Sequence, residues 1–142
     1  MAKTSGLGST LTVDDSTGSS NTDLSNDITN YSFSTPRGVQ DSTGTDKSAH
    51  ERLLLLADFS VTLNGVANFA SGKQHDVFKT VSSTSVLRTT VINPIGTTSG
   101  FPKLPNEVMY TDYQLTRNNT GELTWQAPGS LGDGTVPTWT TN

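Results

Sequence analysis

Asp58-Phe59-Ser60-Val61-Thr62-Leu63-Asn64 decides the fold class. Phe59, Val61 and Leu63 alternate with Asp58, Ser60, Thr62 and Asn64. A two-residue period sends one set to a core and the other away from it, the pattern of a half-buried β-strand. Asn64-Gly65 predicts a turn at its end. On the N-terminal side, Thr10–Val13 alternates in the same way. Ile28–Ser34 reads as a strand with Tyr31 and Phe33 on one face, broken by Pro36 and Gly38. On the C-terminal side, Val86–Ile92 is rich in β-branched residues and stops at Asn93-Pro94. Residues 96–105, with Pro102 and Pro105, read as a loop and Val108–Thr116 as a strand. Asn118-Asn119-Thr120-Gly121 turns the chain, and Leu123-Thr124-Trp125 returns as the partner.

Two short helices interrupt this pattern. Ser48-Ala49-His50-Glu51 fits a capping box, with Ser48 and Glu51 predicted to cap a helical turn that leads into Leu53–Leu56. Val77, Phe78 and Val81 stand at helical spacing within Gln74–Val81. The expected architecture is mainly β: one antiparallel sandwich or partly closed barrel with one or two short helices. No repeat or linker divides the 142 residues, so residues 1–142 are expected to form a single domain. Around it run an extended N-terminal segment, an acidic loop at 14–27 and a C-terminal arm at 128–142.

Composition agrees with a loop-rich β protein. The chain has 24 Thr, 17 Ser and 13 Gly, and hydrophobic residues make up 31%. Thr favours pleated half-exposed surfaces, and small polar residues favour turns. So thin a core predicts stability borrowed from partner subunits. With no Cys, disulfides and thiolate metal sites are excluded. The longest apolar run, Leu53–Ala57, is too short to span a bilayer, and the first residues lack the apolar core of a signal peptide. No membrane association is expected. Residues 1–46 hold two basic residues against six acidic ones, whereas 47–142 hold seven of each. A nucleic-acid-gripping protein shows the reverse, a basic patch against phosphates.

The residues offer little to catalysis. His50 and Glu51 could act as acid and base, but no other residue supports that role, and His75-Asp76 reads as a helix start. Gly6-Leu7-Gly8 and Gly132-Asp133-Gly134 do not extend into a phosphate loop, and no GxSxG marks a nucleophile. No enzyme activity, metal or cofactor is expected. Trp139, with Val136 and Pro137, stands in an otherwise polar tail. It is either an anchor for a neighbouring subunit or a residue that folds back on its own domain.

Several blocks together resemble a known family. They are Met1–Gly8, Thr43-Gly44-Thr45-Asp46-Lys47-Ser48-Ala49-His50-Glu51-Arg52, Asn64-Gly65-Val66, His75-Asp76-Val77-Phe78, Asp112-Tyr113-Gln114-Leu115-Thr116-Arg117 and Asp133-Gly134-Thr135-Val136-Pro137-Thr138-Trp139. In this order they resemble the major tail proteins, or tail tube proteins, of siphophages, especially those of actinobacterial hosts. The resemblance runs along almost the whole chain. It implies a β-sandwich subunit that forms hexameric rings, stacked head to tail into a tube whose inner sheets join into one barrel. It also implies a virion protein assembled in the host cytoplasm, with tape measure, tail terminator and tail-tip proteins as partners and viral DNA as passing cargo. Many relatives carry an additional immunoglobulin-like domain, and none is expected here.

A DNA conduit must not hold its cargo, so the inner wall is expected to be neutral to acidic. Asp58, Ser60, Thr62 and Asn64 are the candidate lumen-facing residues. A neighbouring strand would add Asp112 and Gln114, or Asn30, Ser32 and Ser34. The same residues facing solvent outside a tube remain the plain alternative. A capsid decoration protein, a tail terminator or a carbohydrate-binding adhesin are the competing functional readings.

Overall fold

Val61 and Leu63 point into the core, while Ser60 is exposed and Thr62 and Asn64 are half-buried. The strand that holds them is one of eleven in the computed structural model, which describes residues 2–142. Residue 1, included in the expected domain, lies outside the described residues. The strands are β1 (Thr10–Asp14), β2 (Asn21–Asp23), β3 (Ile28–Ser34), β4 (Arg37–Asp41), β5 (Arg52–Ala57), β6 (Ser60–Val66), β7 (Arg88–Asn93), β8 (Pro102–Tyr110), β9 (Gln114–Arg117), β10 (Leu123–Leu131) and β11 (Thr140–Thr141). The helix α1 is Gln74–Phe78.

Nine strands form one antiparallel sheet in the order β2-β1-β7-β8-β10-β6-β3, with β9 beside β10 and β11 beside β8. The sheet curls until the two ends approach: Ser9 Oγ and Tyr31 Oη, just before β1 and in β3, hydrogen-bond at 2.6 Å. The two ends do not pair, so the barrel stays open. Inside lie Leu11, Val13, Val61, Leu63, Ile92, Leu104, Val108 and Ala127 from the strands, Phe59 from the turn before β6, and Val77 and Phe78 from α1. Phe78 packs against Tyr110 and Trp125, each with ring centroids 5.2 Å away. The Arg88 guanidinium, also buried, donates to the Val77 carbonyl and to Thr80 Oγ1. It thereby satisfies a carbonyl that so short a helix leaves open.

Several sequence expectations need correction. Asn64-Gly65 is not a turn, because β6 continues through both to Val66. Gly65 serves close approach instead: a Cβ there would overlap the Asp27 carbonyl oxygen and meet Trp125 Nε1 at 2.9 Å. Residues 102–105 are not loop, since β8 starts at Pro102 and pairs Pro105 with Val91. Val108–Thr116 is two strands, β8 and β9, both along the same side of β10. The break at 111–113 lets Tyr113 reach α1, where its hydroxyl accepts from Gln74 Nε2 at 2.8 Å. Residues 14–27 include β2, which returns against β1, and both Asp14 and Asp27 are buried. Residues 128–131 belong to β10 rather than to a terminal arm.

The expected helix at Ser48–Glu51 is absent. The chain there closes the hairpin β4–β5, which forms a separate two-stranded sheet. The Glu51 N–H donates to Thr43 Oγ1 at 2.8 Å, and the Glu51 carbonyl accepts from the Ser42 N–H at 2.8 Å. Thr43 has taken the donor that Ser48 was expected to satisfy, so Ser48 and Glu51 cap nothing. Leu53–Leu56, expected to follow that helical turn, lie within β5 instead.

Candidate functional site

The strands β3, β6, β10 and β9 lie side by side, and their registers align their outward residues in rows. Asn30 opposes Asn64, Asn64 opposes Gln126, and Gln126 opposes Gln114. Four amide side chains thus cross four strands on one face, because directly opposed residues share a face. The next row is Ser32, Thr62 and Pro128, and the next is Ser34, Ser60 and Ser130. Ser34 Oγ and Ser60 Oγ hydrogen-bond at 3.0 Å. Thr116 and Thr124 extend the face beyond the amide row. None of these residues is charged. Behind them, on the buried side, stand Val61, Leu63, Trp125 and Ala127.

The structure therefore brings Ser60, Thr62, Asn64 and Gln114 together and adds Asn30, Ser32 and Ser34. It leaves Asp58 and Asp112 outside the rows. Asp58 sits in the turn before β6, where its N–H donates to the Pro36 carbonyl at 2.9 Å. Asp112 lies in the break between β8 and β9, its carboxylate accepting from the Tyr113 N–H. Both are exposed. The contribution of β10 was missed in the sequence. Its signal is the alternation of Leu123, Trp125, Ala127 and Gly129 with Thr124, Gln126, Pro128 and Ser130, obscured by Pro128.

Two free edges of the sheet bound this face. Among the described residues β3 pairs only with β6, and β9 only with β10. An unpaired edge presents a row of backbone donors and acceptors to any strand that can reach it.

The hairpin β4–β5 is a second surface. Leu53, Leu54, Leu55 and Leu56 are 53%, 63%, 44% and 89% exposed, and Val39 opposite Leu54 is also exposed. Alternate leucines point to opposite sides, so the ribbon is apolar on both faces. A contiguous apolar ribbon exposed to water marks an interaction surface or an aggregation liability.

The C-terminal segment supplies a third. It leaves β10 beside β8: the Gly132 N–H donates to the Glu107 carbonyl at 3.0 Å, and farther on Thr140 and Thr141 pair with Lys103 and Pro102. Trp139 leans on Phe33 with ring centroids 6.0 Å apart, and remains 48% exposed. Within one subunit the segment thus folds back on its own domain, with Val136 and part of Trp139 in water.

Titratable groups are dispersed. Among the described residues no group of three or more His, Asp or Glu converges on a point that could hold a metal. His50 Nδ1 lies 3.2 Å from Asp41 Oδ2 on the exposed hairpin. His75 packs between Phe69 and Tyr113. Burial raises the pKa of Tyr110, whose hydroxyl meets Thr90 Oγ1 at 2.7 Å. No helix among the described residues is long and apolar enough to cross a membrane.

No protein-family model and no curated sequence matches the chain. Solved structures do. One is described as "Virion of native gene transfer agent (GTA) particle", with a TM-score of 0.75 over 98% of this chain and 100% of that chain, at 12% identity. Another, "Tail of empty GTA particle computed with helical refinement, C6 symmetry", has a TM-score of 0.70 over 94% of each chain, at 14% identity. The chain therefore has, along nearly its full length, the antiparallel β fold found in a gene transfer agent virion and its tail.

Proposed function

We propose that the chain is the tail tube subunit of a long-tailed phage or phage-like particle, a virion protein that polymerises as stacked hexameric rings around a conduit for DNA. The observation that carries this reading is the uncharged face of β3, β6, β10 and β9, bounded by two free edges of the sheet. If the β3 edge of one copy met the β9 edge of the next, the faces of a closed ring would join into one polar wall. Such a wall offers phosphates no cation to bind. The likeness to a tail solved with C6 symmetry supports a six-fold ring. The two-sided apolar hairpin supports the second contact that a tube requires, between rings, because head-to-tail contacts that do not close generate filaments.

Tape measure, terminator and tail-tip proteins would bind such a tube inside and at its ends, and assembly would take place in the host cytoplasm. The blocks Thr43–Arg52 and Asp133–Trp139 support the siphophage, actinobacterial-host type. A carbohydrate-binding module would need an aromatic platform. Here Trp125 is buried, and the partly exposed rings are Tyr31, Phe33 and Trp139, in contact beside the β3 edge.

Electron microscopy of the purified protein tests the proposal. Stacked rings or hollow tubes at high concentration are expected, and monomers at every concentration would overturn it.

A further inference from the structure

Between β8 and the C-terminal segment lies a cavity of about 310 Å³. Its cause is Pro105. The Gly132 N–H donates to the Glu107 carbonyl, so along this side of β8 the odd-numbered residues turn their backbone groups outward. Pro105 is the next such residue and has no N–H to offer. The ladder fails there, and residues 133–139 bow away before β11 resumes pairing at Lys103.

Two carboxylates, Glu107 and Asp133, line the cavity beside Pro105, Val136 and Thr138. Among the described residues neither has a cation within ion-pair distance.

We infer that this cavity is a socket for the N-terminal segment, residues 2–8, of a neighbouring copy, with Lys3 against Glu107 and Asp133 and Leu7 against Val136 and Pro105. The inference rests on the tube reading above and names one of its joints. Charge selects this occupant. Residues 2–13 carry Lys3 and no acid, whereas the hairpin tip at 42–51 sets Lys47 against Asp46 and Glu51. Residues 2–5 are exposed and unpaired by any strand, and Leu7 is 86% exposed. Val136, across the socket, is 62% exposed. An acidic pocket with an apolar rim thus meets a basic segment with an apolar residue four positions after its Lys.

The absence of Cys makes a cross-linking test clean. The full chain carrying Thr4→Cys and Thr135→Cys should, after assembly and mild oxidation, run as a ladder of covalent multimers beyond the dimer. Each single variant should stop at dimers. Adding Lys3→Glu should lower the cross-linked fraction about tenfold, and adding Glu107→Lys to that should restore it. A fast-migrating cross-linked monomer would show that the segment fills its own socket and would overturn the inference. So would a ladder from Thr45→Cys with Thr135→Cys in place of the first pair, since the hairpin tip would then be the occupant. Rings or tubes seen by microscopy without any cross-link would remove the socket and leave the tube reading intact. Stable monomers without cross-link would remove both.

Discussion

Trp125 Nε1 donates to the Asp27 carbonyl from 3.2 Å, and the two meet over Gly65, the one residue of β6 with no side chain to keep them apart. The contact ties the acidic N-terminal region to the polar sheet, and Asp27 extends it by accepting from Asn68 Nδ2 at 2.8 Å. Gly65→Ala should cost about 3 kcal/mol, at the upper end of overpacking penalties, because backbone has to move. Gly72→Ala has open space around it but a φ of +71°, so it should cost only about 1 kcal/mol. Denaturant unfolding of the two variants checks the order, and equal losses would contradict the close-approach argument.

The hairpin turn makes a paired prediction. Thr43→Ala removes the acceptor for the Glu51 N–H and the donor to Asp41, and should loosen the β4–β5 hairpin by about 1 kcal/mol. Ser48→Ala should change stability by less than about 0.5 kcal/mol, as at an ordinary surface position. Amide exchange of β4 and β5 reads both effects, and a loss at Ser48 equal to that at Thr43 would revive a structural role for Ser48.

Replacing Leu54 and Leu56 with Glu places two charges on one side of an exposed ribbon. The subunit should fold with its melting temperature unchanged within a few degrees, while polymer yield in sedimentation falls at least tenfold. Normal tubes from this variant would free the hairpin of any part in stacking.

Thr62→Arg puts a cation in the middle of the uncharged face. On the proposed tube reading, tails carrying it should still assemble, and their DNA ejection should slow in a manner that added salt relieves. Unaltered kinetics from particles shown to contain the variant would place this face elsewhere than the lumen.

Acid should weaken the fold from a predictable point. The carboxylate of Asp23, bonded by Ser25 Oγ and N–H, is held below its ordinary pKa, and so is that of Asp76, bonded by the Gly72 N–H and Lys79. Groups with lowered folded pKa contribute fully above the unfolded value of about 3.9, and their contribution is lost as pH falls through the folded value. The melting temperature should hold down to about pH 4 and then drop. Asp23→Asn with Asp76→Asn should give a shallower acid limb, and an identical limb would mean that other groups control it.

What the sequence disclosed follows from how local each signal is. The alternation in β6 and the turn at Asn118–Gly121 are written in neighbouring residues. The turn stands where it was read, and the strand keeps its inward and outward sets but runs Ser60–Val66, two residues farther on. Gly65 is different. Its neighbour Asn64 makes it look like a turn, and only the arrival of Asp27 and Trp125 from distant parts of the chain explains it. Ser48 and Glu51 have the spacing of a cap, but Thr43, eight residues upstream of Glu51, competes for the same donor and wins because the strands are already paired. Of the candidate face, Ser60, Thr62 and Asn64 were legible from one strand's period. The amide row was not, because register between strands is not encoded within any one of them.

The leucine ribbon has a thermal consequence. Covering apolar surface is driven near room temperature by water released from it, and that drive fades on cooling. Polymer held together through Leu53–Leu56 should therefore have a critical concentration that rises in the cold, so that chilling disperses assembled subunits and warming gathers them again.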